Sequence, residues 1–307
     1  MTVILVASFI ASAFAAAAAH QWLAASDAEF AGWILDKGPH KLMRRIMMLL
    51  VLLFVPYLLR LAGWRGHMDC GFSREQRTFP FRAARLDVGL GLVLGLGSLG
   101  LMIFIEYAYG TRALISASRM PAEVPAVIGY AFSALLIAVL EETIVRGVLF
   151  RLLQRLWTLW PAVLVSSMLF AYLHFLKASP DAFGDGPILE KGFAVMGSAL
   201  SAPAHTEAFA LRFLNLTLMS ILLCLVVART GTIWIAVGLH AGWVWLKKSN
   251  GALGDAVDGV GPTLWIGSRS DATDALLTTV VFLVLAAFVL RRPSLSIANH
   301  ATEAADG

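Results

Sequence analysis

Apolar residues gather along this chain in long, nearly unbroken runs, at roughly 2–19, 46–63, 86–108, 125–150, 159–176, 207–229, 231–247 and 275–291. A helix needs ~20 mostly apolar residues to cross ~30 Å of hydrocarbon, and the runs are close to that length. The pattern therefore predicts an all-α fold, a polytopic transmembrane bundle of about eight helices. Pro161 falls near the start of the fifth run, where a missing backbone N–H costs nothing. Only Arg229-Thr230-Gly231 breaks the sixth run from the seventh, so those two helices are expected to be antiparallel neighbours.

Composition strengthens this picture. Hydrophobic residues make up 59% of the 307 and charged residues only 14%, where a soluble domain carries about 25% charge. The mean hydropathy is +0.76. The net charge of +4 is then explained by arginines in cytoplasmic loops, and no nucleic-acid partner is expected. Cys70 and Cys224 show neither CxxC nor metal-type spacing, which argues against a disulfide framework or a zinc knuckle. The opening VILVASFIASAFAAAAAH has the alanine-rich end of a signal peptide but no positively charged start, so it is expected to remain as the first transmembrane helix.

Three loops punctuate the runs. Residues 64–85 hold five arginines and read as cytoplasmic; residues 177–206 form a long connection with Gly184, Gly186 and Pro187; residues 248–274 surround a small apolar island, TLWIGS. Lys and Arg are spread nearly evenly over the two sides. The loops without acids favour an inside position for 151–158, Arg229 and the Arg291-Arg292 tail. From Pro293 onward the chain is polar, and disorder is expected. GLGSLG at 95–100 matches the dinucleotide pattern GxGxxG, but it sits in a lipid-length run with no preceding strand. Small residues spaced for close helix contact explain it better.

Against this background the polar groups at membrane depth are few: Glu106, Glu141, Glu142, Arg146, His174, Arg212, Asn215 and His240. An ionised group near the bilayer centre costs at least ~2.5–3.5 kcal/mol. Glu106 and Arg212 lie near run ends, from which long side chains reach the interface. Asn215 suits interhelical hydrogen bonding. Glu142 and Arg146, four apart, share a helix face and are spaced for an ion pair, while Glu141 is turned ~100° from Glu142. His174, in FAYLH, and His240, in AVGLHAGWVW, lie on two further runs. One spare carboxylate and two imidazoles suit either general-base hydrolysis or a three-ligand metal site.

The order EExxxR (Glu141-Glu142-Thr-Ile-Val-Arg146), FxxxH (Phe170 to His174) and a later membrane histidine (His240) resembles the CAAX-protease and bacteriocin-processing family of intramembrane endopeptidases, type II CAAX prenyl protease-like. The resemblance covers about 125–247. Together with the apolar runs and loops, this suggests N-terminal transmembrane helices and a basic loop over 1–120, a catalytic core similar to that family over 121–250, and a gating loop, last transmembrane helix and polar tail over 251–307. The resemblance implies that Glu141 activates a water and that His174 positions or polarises it. His240 would stabilise the oxyanion, and Glu142 and Arg146 would hold the helix and tune Glu141.

The family's third motif commonly continues to an Asn four residues after the histidine, where this chain has Val244. Asn215 and the indole N–H of Trp243 are the candidates to replace that donor. Losing one oxyanion donor costs ~10²–10³ in rate. Glu141, His174 and His240 would also satisfy a catalytic Zn²⁺. HExxH is absent, however, and a metal-free glutamate peptidase is the favoured reading.

The partners implied are the lipid bilayer and a membrane-associated peptide or protein substrate. Loop style and composition look bacterial, which points to the cytoplasmic (inner) membrane and to a substrate other than a prenylated CAAX protein. Two alternatives differ in class. One is a non-catalytic immunity or partner-binding protein of the same fold, for which Val244 is the best argument. The other is a proton-coupled transporter, against which stands the lack of an inverted repeat.

Overall fold

The computed structural model describes residues 2–26, 31–32, 39–61, 70–72, 81–206, 208–257, 264–266 and 272–291. The polar tail from Pro293, most of the basic loop and half of TLWIGS lie outside them. Among the described residues there are nine helices: α1 (Thr2–Ala24), α2 (Pro39–Leu61), α3 (Phe81–Ala108), α4 (Met120–Leu156), α5 (Leu159–Leu173), α6 (Ile188–Ser201), α7 (Phe209–Thr230), α8 (Trp234–Leu253) and α9 (Leu276–Arg291). The fold is thus mostly helical, as the apolar runs predict. Helix α3 from Ala83, α4 and α7 are long and apolar enough to cross a membrane; α5 and α9 are shorter apolar helices.

Helix α6 is the element the runs do not announce, because it lies in the stretch expected to be an open loop. Its 14 residues are too few to span a bilayer, and Glu190, Lys191, Gly192 and Gly197 interrupt its apolar character. It folds because one face, Gly192, Val195 and Ala199, is buried. The chain adds one short antiparallel ribbon, β1 (Arg112–Leu114) with β2 (Gly254–Ala256), pairing Ala113 with Asp255.

The helices fall into two compact units. In the first, α1 packs on α2 and α6 over a core of Ala13, Ala16, Met43, Phe183, Val195 and Ala199. The ring of Phe14 meets Phe193 edge-on at 5.3 Å, and it lies where any side chain on Gly192 would project.

The second unit holds α3, α4, most of α5, α7, α8 and α9. Helix α8 is its axis: every residue from Ile235 to Trp243 is buried, as expected of a helix surrounded by others. It touches α3 at backbone distance. A methyl group on Gly91 would lie 2.2 Å from the carbonyl oxygen of Ile235, and one on Gly95 would lie 2.5 Å from that of Leu239. Reciprocally, one on Gly238 would lie 2.2 Å from the carbonyl oxygen of Val88. Of the glycines read from the sequence as small-residue packing, Gly95 joins Gly91 in a helix–helix seam, the two facing Gly238 and Gly242. No side chain stands between the two backbones.

Gly97, by contrast, has nothing within 4 Å of the position a methyl would take. Gly238→Ala is accordingly expected to destabilise the protein by about 1–3 kcal/mol through overpacking. Gly97→Ala is expected to be neutral or stabilising by up to ~1 kcal/mol through helix propensity. Thermal unfolding of the two variants in the same detergent checks this, and equal shifts would refute the seam.

Candidate active site

The site begins with a change of helix type. From Met120 to Glu142, α4 is an ordinary α-helix; Thr143–Phe150 then forms a π-helical segment before the α-helix resumes at Arg151. The local sequence favours the switch. Thr143 Oγ1 donates to the carbonyl of Val139 at 2.6 Å, competing for an acceptor that a regular helix reserves for backbone. Wide turns of this kind cluster at functional sites. Gly147 is required inside the segment, because a Cβ there would lie 2.9 Å from the carbonyl oxygen of Cys70.

Glu141 and Glu142 close the α-helical part, and both are buried. Arg146, four residues on, has no exposed surface. Its Nη1 donates to Glu142 Oε1 at 2.9 Å, the ion pair that the spacing predicts. Nη2 donates to Ser220 Oγ at 2.8 Å and to the Ser220 carbonyl at 3.3 Å, both on α7. The guanidinium carbon stands 4.6 Å from the centre of the Phe170 ring, at the end of α5.

His240 completes the arrangement from α8. Its Nδ1 lies 2.7 Å from Glu142 Oε1, the same oxygen that Arg146 holds. Paired with a guanidinium, that carboxylate is an acceptor, so Nδ1 is the donor. Glu142 thereby sets the tautomer and turns the Nε2 edge outward, and Nε2 is 3.8 Å from Glu141 Oε2. The Phe170 ring meets the imidazole edge-on, centroids 6.3 Å apart. Glu141, Glu142, Arg146 and His240 therefore share one buried cluster, and Glu142 faces two partners where the sequence pointed to one.

His174 belongs to the other compact unit. It follows the last residue of α5 rather than standing within a helix; its backbone N–H donates to Ala171 O at 3.2 Å, and the residue is half-buried. The next residue, Phe175, is buried and stacks edge-on against Phe209 at 4.8 Å.

Both candidates for the absent oxyanion Asn are engaged elsewhere. Asn215 donates to the carbonyls of Thr273 (2.8 Å) and Ala275 (2.9 Å), and its Oδ1 accepts from Thr279 at 2.7 Å. It ties α7 to the start of α9. Trp243 donates its indole N–H to Ser98 Oγ at 2.9 Å. Neither has a donor left over, and Val244 itself is half-buried. The two run-end residues are structural as well. Arg212 pairs with Asp274 at 3.1 Å, and Glu106, instead of reaching the interface, is buried and accepts from Asn250 at 3.3 Å.

TLWIGS lies in the loop expected to gate the site. In its described part, the carbonyls of Leu264 and Trp265 accept the N–H groups of Leu276 and Leu277, capping α9.

Among the described residues, no three His, Cys, Asp or Glu side chains come together in a group that could hold a metal ion. No step below runs through a metal.

Ser220 is the site contact that sequence reasoning missed. It is 74 positions from Arg146, and a serine in a membrane helix carries no signal of its own.

Residues 123–246, which include every residue of this cluster, match the family described as type II CAAX prenyl endopeptidase Rce1-like. This stretch is an Rce1-like domain of the CAAX-protease and bacteriocin-processing family, and the match spans less than half of the chain. No curated protein and no solved structure matches the chain.

Proposed function

We propose that this Rce1-like domain makes the chain an intramembrane endopeptidase that hydrolyses a peptide bond of a membrane-associated protein or peptide. The observation that carries the reading is the shared oxygen of Glu142. By engaging Arg146 and His240 together, it leaves Glu141 as the carboxylate aimed at the Nε2 edge of the imidazole. Glu141 serves as general base, taking a proton from the attacking water while the water oxygen bonds to the peptide carbonyl carbon. His240, anchored through Nδ1–H, takes up a proton from solvent at Nε2 as substrate binds and donates that Nε2–H to the oxyanion that forms. Glu141 then returns the proton to the leaving nitrogen as the C–N bond breaks. His174 positions the water, a role taken from the family motif alone. The bacterial inner membrane is the proposed setting.

The experiment uses full-length protein in detergent against a quenched-peptide library, with His174→Ala and His240→Ala beside wild type and a chelator in a parallel lane. Cleavage by wild type that falls at least ~10²-fold in both variants is expected, given the usual worth of one oxyanion donor or one proton-transfer group. A folded wild type that cuts nothing, or variants that cut equally well, would move the non-catalytic reading forward. Loss of activity with chelator, restored by Zn²⁺, would overturn the metal-free mechanism while leaving the peptidase intact.

A further inference from the structure

A buried guanidinium has five N–H donors to satisfy. Among the described residues, the hydrogen bonds of Arg146 go to two partners only, Glu142 and Ser220. Phe170 adds its ring face but no acceptor. Ser220 therefore decides how the guanidinium plane is tilted about its contact with Glu142. Its hydroxyl provides the shorter of its two bonds, 2.8 Å against 3.3 Å for the carbonyl. Glu142 Oε1 cannot shift toward Arg146 without moving relative to His240 Nδ1, because one oxygen serves both. A chain of contacts thus runs from Ser220 on α7, through Arg146 and Glu142 on α4, to His240 on α8.

We propose that Ser220 is a positioning residue: by orienting Arg146 it holds Glu142 Oε1 on His240 Nδ1 and keeps the Nε2 edge of the imidazole turned toward Glu141. The kinetic part of this proposal rests on the peptidase reading above; the orientation of the imidazole does not.

The test therefore reads both. Full-length protein labelled with ¹⁵N-histidine is examined by NMR, and His240 is assigned by the signals that vanish in His240→Gln. Wild type is expected to show a single tautomer with the proton on Nδ1. In Ser220→Ala that single tautomer is lost, and in Ser220→Thr, which keeps a hydroxyl, it returns. In the peptidase assay, Ser220→Ala is expected to lower kcat ~10-fold, the lower end of what losing a supporting hydrogen-bond partner costs around catalytic groups. KM is expected to stay within ~2-fold, since no substrate contact is removed.

A His240 spectrum unchanged in Ser220→Ala overturns the proposal, whatever the activity. If Ser220→Ala does not fold, Ser220→Cys decides in its place: similar in size and a weaker acceptor, it is expected to disturb the tautomer, and an undisturbed spectrum again overturns the proposal. If wild type cleaves no peptide yet the tautomer responds to Ser220, the coupling stands and only the peptidase reading falls.

Discussion

Glu141→Gln is expected to yield a folded protein whose peptide cleavage falls at least ~10³-fold, within the ~10²–10⁴ range that a positioned proton-transfer group contributes. The amide keeps the shape of the side chain but can no longer take a proton from water. Glu141 closes the α-helical part of α4, 3.8 Å from His240 Nε2, and the 2.9 Å ion pair with Arg146 is made by Glu142. Replacing Glu141 leaves that ion pair in place, so the fold is expected to be spared. Glu142→Gln is the informative companion. It weakens the partner of both Arg146 and His240, so it is expected to lose stability together with activity. Initial rates, normalised to the folded fraction from thermal unfolding, separate the two. If Glu141→Gln cleaves like wild type and Glu142→Gln is inactive but stable, the two carboxylates have been assigned the wrong way round.

Arg146→Met is expected to produce the largest loss of stability of any single change at the site, about 3–5 kcal/mol, the usual cost of removing one partner of a buried ion pair. Glu142 and Arg146 are both without exposed surface, so the remaining carboxylate would keep its desolvation penalty and lose its main compensation. The Ser220 hydroxyl would lose its cation in the same stroke. Replacing both members by apolar residues removes the stranded charge, and such exchanges are often close to neutral. The double variant Glu142→Met with Arg146→Met should therefore recover much of the stability while remaining inactive, since His240 has lost its anchor. Denaturation curves of the single and double variants in one detergent test this. A single variant as stable as wild type would show that the pair contributes nothing to the fold.

The ion pair could be read directly from EExxxR, because four residues along a helix is a fixed spatial relation. The glycine seam could be read in part: GLGSLG at 95–100 is a run of small residues at membrane depth, and its Gly95, with Gly91 four residues earlier, meets α8. Which of its glycines face the partner could not be read, since Gly97 lies in the same string and touches nothing. Helix α6 was hidden because it is amphipathic and short, and its burial depends on α1, distant in the chain. Asn215 and Trp243 are donors at membrane depth in the sequence, but Thr273, Ala275 and Ser98, brought to them only by packing, hold their N–H groups.

By itself, then, the amino-acid sequence determined that this chain lives in a membrane, that most of its helices are apolar runs, and that a few ionisable groups on or beside those runs carry family motifs in order. Those properties are local: hydropathy over ~20 residues and offsets within one helix are complete in the string of letters. Only the tertiary structure decided that Glu142 Oε1 serves Arg146 and His240 at once and that Ser220 fixes the guanidinium. Glu142 and His240 are 98 positions apart, and Arg146 and Ser220 are 74 apart. Hydrogen bonds form over about 3 Å, and no local periodicity encodes which distant side chains packing will bring within that reach.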